Sequence, residues 1–384
     1  MTKPEEQYFA LLRAAIWDQP VAIEGKIDWH DVMVLAEHHA TQVLLYDLAL
    51  RLPENQQPEA DALNRMKKQL RVNLVYHLRM RQTLLQAVAL LRERNIEPVL
   101  LKGFGLAQFY PNPNLRQFGD IDLFVGLDNF HEACSTLRAM PDSYNWSQEV
   151  DLGKHYNLEF GDYAMEIHRV SADVSELEER DAYMEMERQG LLLHPQLTEV
   201  EGTMLTIPSK NFMVLFTFYH AWEHFLTTGV GWRQMCDIAL ALHAYSGQLD
   251  LEQFRKDLTA LHLMQPWQAF GKLFVDCLGL PEFEMPFYKA SMGRTASKLY
   301  RHIMDEGNFK RQRKFKRKPP KQYWIKKVQS FISLIIDFFR LSKLFPSLAF
   351  RQLCGSIKQG LTKTESEISQ SGKKIHTKRE KKSD

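Results

Sequence analysis

Pro98-Val99-Leu100-Leu101-Lys102-Gly103 and, after a loop, Asp120-Ile121-Asp122-Leu123-Phe124-Val125 form the stretch on which the fold turns. The chain before it has helical spacing, and here the period changes. The apolar run after Glu97-Pro98 reads as a short buried strand that Lys102-Gly103 ends. The second segment alternates: Ile121, Leu123 and Val125 take one face and Asp120 and Asp122 the other. Between the two, residues 106–110 read as a short helix and Pro111-Asn112-Pro113-Asn114 as a loop. Residues 129–140 read as a helix.

Downstream, residues 155–160 and 163–170 flank Gly161-Asp162, a two-residue turn that predicts a β-hairpin. In that register His155 faces His168 and Asn157 faces Glu166, so these four side chains share one side of the sheet. Tyr156, Leu158, Met165 and Ile167 point to the other side, as core residues. Strand, helix, strand, helix and hairpin in that order indicate a small α/β sheet.

Helices are expected on either side. Tyr8, Leu11, Leu12 and Ala15 recur at helical spacing, and Asp28 is placed to cap a helix carrying Val32, Leu35 and Ala36. A long helix is expected from about Ala60 to Arg94, with Leu70, Leu74, Leu78, Leu84, Leu85 and Leu91 as its apolar positions and Asn95 as a left-handed stop. Helix resumes after Ser209, with Phe212, Leu215, Phe216, Tyr219 and His220 on one face, and again over residues 232–245. The expected organisation is a helical region at 1–95, an α/β core at 96–200, a helical domain at 201–306 and a basic tail at 307–384.

Charge is unevenly spread. The chain of 384 residues has a net charge of +2, but residues 310–384 hold 21 Lys and Arg against 5 Asp and Glu, a net of +16 that leaves −14 elsewhere. Arg311 to Lys318 is a dense basic run, and Trp324, Val328, Phe331, Ile335 and Phe338 follow at helical spacing, before an end expected to be disordered. The pattern suits a helix docked on the acidic body, a membrane surface or, less well, nucleic acid. Cys134, Cys236, Cys277 and Cys354 are scattered, which argues against a disulfide framework and suits a reducing cytosol. With no apolar leader and no membrane-length apolar run, the expected location is cytoplasmic, or peripheral at a membrane through the tail.

The acidic strand carries the chemistry. Two Asp at i and i+2 point the same way and repel, which calls for a cation. Mg²⁺ takes carboxylate oxygens and leaves positions for phosphate. Glu166 on a neighbouring strand would complete the set, and Lys102-Gly103, where a strand gives way to a helix, suits a triphosphate.

These residues carry a resemblance. Leu100-Leu101-Lys102-Gly103, Leu115-Arg116-x-x-x-Asp120-Ile121-Asp122-Leu123, Met165-Glu166-Ile167-His168 and Gly229-x-Gly231-x-Arg233-Gln234-x-x-Asp237 resemble a bacterial nucleotidyltransferase family of largely uncharacterised members within the DNA polymerase beta-like superfamily. The resemblance implies an α+β fold, a small mixed-sheet core flanked by helical regions. It implies transfer of a nucleoside monophosphate from an NTP to an acceptor, with release of pyrophosphate. Asp120, Asp122 and Glu166 would be the catalytic metal ligands, for Mg²⁺ or Mn²⁺. Lys102, Gly103, Arg116, His168 and Arg233 would line the nucleotide site. The acceptor (a sugar, another small molecule, tRNA or protein) is left open. One departure is that superfamily members typically have Gly-Ser where this chain has Lys-Gly.

Plainer readings stand beside these. Arg116 could bridge an Asp, Arg233 and Asp237 could pair within one helix, and His168 could be a structural hydrogen-bonding partner. A non-catalytic, nucleotide-binding adaptor with the tail as its recruiting segment is the second functional reading. His220-x-x-Glu223-His224 matches a zinc-hydrolase pattern, with Glu282 or Glu284 as a distant third ligand.

Overall fold

The structure is a computed structural model that describes residues 1–21, 23–141, 154–174, 177–308, 335, 338–351, 353 and 354. Its backbone contacts divide into two compact units, Met1–Val174 with Glu178–Lys316 and Ser175–Leu177 with Arg317–Asp384. The basic run at 311–318, the apolar positions Trp324, Val328 and Phe331 and the chain's end lie outside the described residues. Of the second unit, Leu341 and Ala349, in short helical pieces, and Phe345 between those pieces are buried, and Phe339 and Phe350 are exposed.

The first unit opens with α1 (Lys3–Trp17), α2 (Trp29–His38), α3 (Gln42–Arg51) and α4 (Ala60–Arg92). Asp28 caps α2 by accepting the Asp31 N–H. Asn95 stops the chain after α4 in the left-handed region, with φ of 59°. α4 buries Leu70, His77, Met80, Leu84, Ala87, Val88 and Leu91. Leu74 and Leu78, expected on that face, are 38% and 45% exposed. Each step of four residues advances about 40° around a helix, so a 70-74-78 series walks off the buried stripe.

β1 (Val99–Leu100), α5 (Phe104–Ala107), β2 (Asp120–Phe124), α6 (Gly126–Arg138), β3 (His155–Phe160) and β4 (Tyr163–His168) follow. The hairpin register is as the turn predicts, with His155 opposite His168 and Asn157 opposite Glu166. β2 lies parallel to β4, which sets Asp122 beside Glu166, and antiparallel to β1. The face carrying Ile121, Leu123, Tyr156, Leu158, Met165 and Ile167 is buried. α6 packs against β4, and Thr83 of α4 hydrogen-bonds Tyr163 of β4 at 2.7 Å.

The sheet is larger than expected. After α7 (Leu177–Glu187), which continues as a π-turn over Arg188–Leu193, the chain forms β5 (Gln196–Val200) and β6 (Thr203–Ile207). β6 pairs in parallel with β1, giving six strands in the order β3-β4-β2-β1-β6-β5. The fold is α+β, with a mixed sheet. Residue 200, where the core was expected to end, is the last of β5. The hairpin was missed although Glu201 and Gly202, both at positive φ (50° and 75°), form a primed two-residue turn between alternating segments. The unit closes with α8 (Lys210–Thr227), α9 (Trp232–Ala244), α10 (Leu251–Ala260), α11 (Met264–Leu278) and α12 (Gly293–Glu306). Ser209 caps α8. Among the described residues no helix is long and apolar enough to cross a membrane.

Candidate active site

The polar face of β2, β3 and β4 gathers the acidic residues. Parallel pairing of β2 with β4 puts Asp122 and Glu166 side by side, and Asp120 precedes Asp122 by one pleat. One carboxylate oxygen from each of Asp120, Asp122 and Glu166 lies within 4.8 Å of the others. Asp122 is fully buried, with Oδ1 3.0 Å from Lys102 Nζ and 3.1 Å from His168 Nε2. Its other oxygen, Oδ2, is buried with no hydrogen-bond partner. Asp120 is 41% exposed, and its Oδ2 lies 3.8 Å from Lys102 Nζ. Glu166 is 22% exposed and reaches His168 at 3.3 Å and His155 at 3.7 Å.

Each charge here is set by its neighbours. Burial opposes the charged form of Lys102, but Asp120, Asp122 and Glu166 outweigh it and raise its pKa. Burial pushes the Asp122 carboxyl up, and Lys102 with the His168 hydrogen bond brings it below its usual value. Burial pulls His168 down, but its hydrogen bonds to Asp122 and Glu166 and their charges outweigh that and raise it. Burial also raises Glu166, yet His168 and Lys102 hold it at about 2 instead of 4.5. A carboxylate with a lowered folded pKa stabilises the fold above its unfolded value and loses that contribution as pH falls through the folded one. Glu166→Gln is therefore expected to melt below wild type at neutral pH, the gap closing as pH drops from 4.5 toward 2 in a pH series of thermal melts.

Lys102 and Gly103 stand at the end of β1. Gly103 has φ of 61° and precedes the single turn of α5, so the chain reverses there in a conformation that strains other residues. The Lys102 ammonium also donates to His220 Nε2 of α8 at 3.3 Å. His220 and His224 place ring nitrogens 3.0 Å apart, and His224 Nδ1 pairs with Thr228 Oγ1 at 2.7 Å. Burial and the Lys102 charge lower both imidazoles, His224 to about 4, so both are neutral at pH 7. His220, expected on one face of this helix, is put in contact with Lys102. Glu284, a suggested third ligand for this His pair, is engaged by His243 at 2.7 Å.

Arg116 and Arg233, expected in the nucleotide site, each make a contact of their own within the protein. Arg116 is buried, and its Nε and Nη2 donate to the two oxygens of Asp237, each at 2.8 Å. That is a bidentate pair across 121 residues. Tyr110 donates its hydroxyl to the same carboxylate at 2.8 Å. The expected intrahelical pair of Arg233 with Asp237 is replaced by these contacts, and Arg233 donates instead to the Gln117 carbonyl at 3.1 Å. Of the expected site residues, Lys102, Asp120, Asp122, Glu166 and His168 come together, with Gly103 beside them. Arg116 and Arg233 form a neighbouring cluster. His155 belongs with the first group, and the hairpin register had already placed it on that face.

The family model described as an uncharacterised nucleotidyltransferase matches residues 25–279, well over half of the chain, and the chain belongs to that family. No curated protein and no solved structure matches it.

Proposed function

We propose that the protein is a metal-dependent nucleotidyltransferase that moves a nucleoside monophosphate from an NTP to an acceptor and releases pyrophosphate. The observation that carries this is the set of Asp120, Asp122 and Glu166 on neighbouring strands, with a buried, unpaired oxygen on Asp122. Hard oxygen donors in this number suit Mg²⁺ or Mn²⁺, and the orphaned oxygen lacks the partner that a cation would provide. When bound, such a cation neutralises charge on the transferring phosphate. Lys102 balances the carboxylates from within the protein, and in this reading its ammonium also meets the triphosphate. A carboxylate at about 2 is a weak base toward a hydroxyl, so Glu166 serves better as a ligand than as the proton acceptor. His168 fixes the orientation of Asp122 and Glu166 through its hydrogen bonds.

In this reading the acceptor oxygen attacks the α-phosphorus, the bond to the bridging oxygen of pyrophosphate breaks, and the acceptor proton passes to solvent or a neighbouring base. Calorimetric titration with NTP, with and without Mg²⁺, tests the binding half. Metal-dependent binding is expected, weakened about tenfold or more in Lys102→Met, the size of effect expected for a lost charged hydrogen bond. Binding that ignores the metal, or none, would favour a non-catalytic adaptor. Labelled NTPs incubated with acceptor fractions then identify the acceptor.

A further inference from the structure

We propose that His220 of α8 is a positioning residue for Lys102: as a neutral hydrogen-bond acceptor it aims the ammonium without cancelling its charge, which stays available to the phosphates of the NTP. The inference rests on the transferase reading and adds α8 to the site.

The hydrogen bonds fix which atom carries which proton. Lys102 Nζ lies 3.3 Å from His220 Nε2. An ammonium only donates, so His220 Nε2 presents its lone pair, and the neutral ring carries its proton on Nδ1. His224 Nε2 lies 3.0 Å from the same atom and is therefore the donor of that pair. That leaves His224 Nδ1 to accept from the Thr228 hydroxyl at 2.7 Å. Each member of the chain settles the tautomer of the next, from Thr228 just past the end of α8 to Lys102 at the end of β1. The contact of Lys102 with His220 spans 118 residues of sequence, so sheet and helix meet at one ammonium.

Neutrality is what sets His220 apart from the other partners. Lys102 also meets Asp122 Oδ1 at 3.0 Å and Asp120 Oδ2 at 3.8 Å, and both of those belong to the carboxylate set assigned to the cation. A carboxylate at position 220 would hold the ammonium more tightly but would turn one more negative charge toward the phosphates. Burial and the Lys102 charge keep the His220 ring neutral. The Lys102 side chain is only 12% exposed, so its N–H groups are directed by these protein partners more than by water. The two donors at His220 Nε2 share the single lone pair of that nitrogen. A zinc ion held by the His220-x-x-Glu223-His224 pattern would need the same lone pair, and would meet the ammonium charge beside it.

A double-variant cycle on the full-length protein is the test, read by calorimetric titration with NTP in the presence of Mg²⁺. His220→Leu is expected to weaken NTP binding about three- to tenfold, the size of a lost hydrogen bond to a charged group. His220→Gln, whose amide oxygen still accepts, is expected to recover most of that loss. In a Lys102→Met background, His220→Leu is expected to add nothing, because it acts through the ammonium that is already gone. Thermal melts of each variant separate lost binding from lost folding. A second readout needs no variant of His220: nitrogen NMR of histidine-labelled wild type is expected to show His220 protonated on Nδ1 and His224 on Nε2, with the His220 preference lost in Lys102→Met. Unchanged NTP binding in folded His220→Leu, an equal loss with and without Lys102, His220 protonated on Nε2, or stoichiometric Zn²⁺ held by the His220–His224 pair would each overturn the inference. Absence of NTP binding in wild type would count against the transferase reading itself, whereas wild-type binding that ignores His220 removes this inference alone.

Discussion

Asp120→Asn is expected to lower nucleotidyl transfer by about 10³-fold or more and to leave the melting temperature within a degree or two of wild type. The rate effect follows from removing one of three anionic donors where phosphate charge must be neutralised, a loss of the size seen when one preorganised electrostatic contact is deleted. The small effect on stability follows from exposure. Asp120 is 41% exposed and stands 3.8 Å from its nearest cationic partner, a contact that solvent largely screens. Asp122→Asn is a different experiment. Asp122 is fully buried and holds both Lys102 and His168, so neutralising it strands a buried ammonium as well as removing a ligand. It is expected to abolish transfer and also to melt well below wild type. Single-turnover rates and thermal melts on both variants check the pair of outcomes. Full activity in Asp120→Asn would sink the assignment of this face as the site.

The parts of this site legible in the sequence are those governed by short-range rules. The alternation of Asp120, Ile121, Asp122 and Leu123 gave the polar face, and the Gly161-Asp162 turn fixed the register that sets His155 against His168. The same rule applied to Glu201-Gly202 would have found the hairpin of β5 and β6. The parallel pairing of β2 with β4 is a different matter. It brings Asp122 to Glu166 across 44 residues with no turn to dictate it, and Glu166 was offered as the third carboxylate by its chemistry and by the resemblance of the motifs, not by a pairing rule. Contacts between remote loops and helices were legible only in outline: Arg116 was offered as the bridge to an Asp, without saying which. Helical spacing offered Arg233 as the partner of Asp237, because i and i+4 residues are neighbours on any helix. The carboxylate instead points off α9 toward the loop before β2, where Arg116 meets it with better geometry.

That long-range pair changes what the Gly229-x-Gly231-x-Arg233-Gln234-x-x-Asp237 motif is for. A Cβ on Gly231 would lie 2.9 Å from the His39 carbonyl oxygen, and one on Gly229 would lie 2.7 Å from the Gly307 carbonyl oxygen, so the glycines allow backbones to meet. Gln234 accepts the Gly231 N–H at 2.9 Å, and Arg233 holds the Gln117 carbonyl. Asp237 collects Tyr110 and Arg116. All but the local Gly231–Gln234 cap tie the start of α9 to segments far away in sequence, and two of them grip residues 116 and 117, just ahead of the acidic strand. The motif therefore acts as a clamp that positions β2. Asp237→Asn keeps the shape of the side chain but leaves the Arg116 guanidinium, 3% exposed as a residue, without its counter-charge. Breaking a buried pair on one side costs about 3–5 kcal/mol, mostly through the stranded charge. The expected result is a loss of that size in chemical denaturation. A double variant, Asp237→Asn with Arg116→Met, should recover part of it, since the unpaired charge is then gone. If Asp237→Asn kept wild-type stability and instead raised only the KM for NTP, Arg116 and Arg233 would belong to nucleotide binding and the clamp would be wrong.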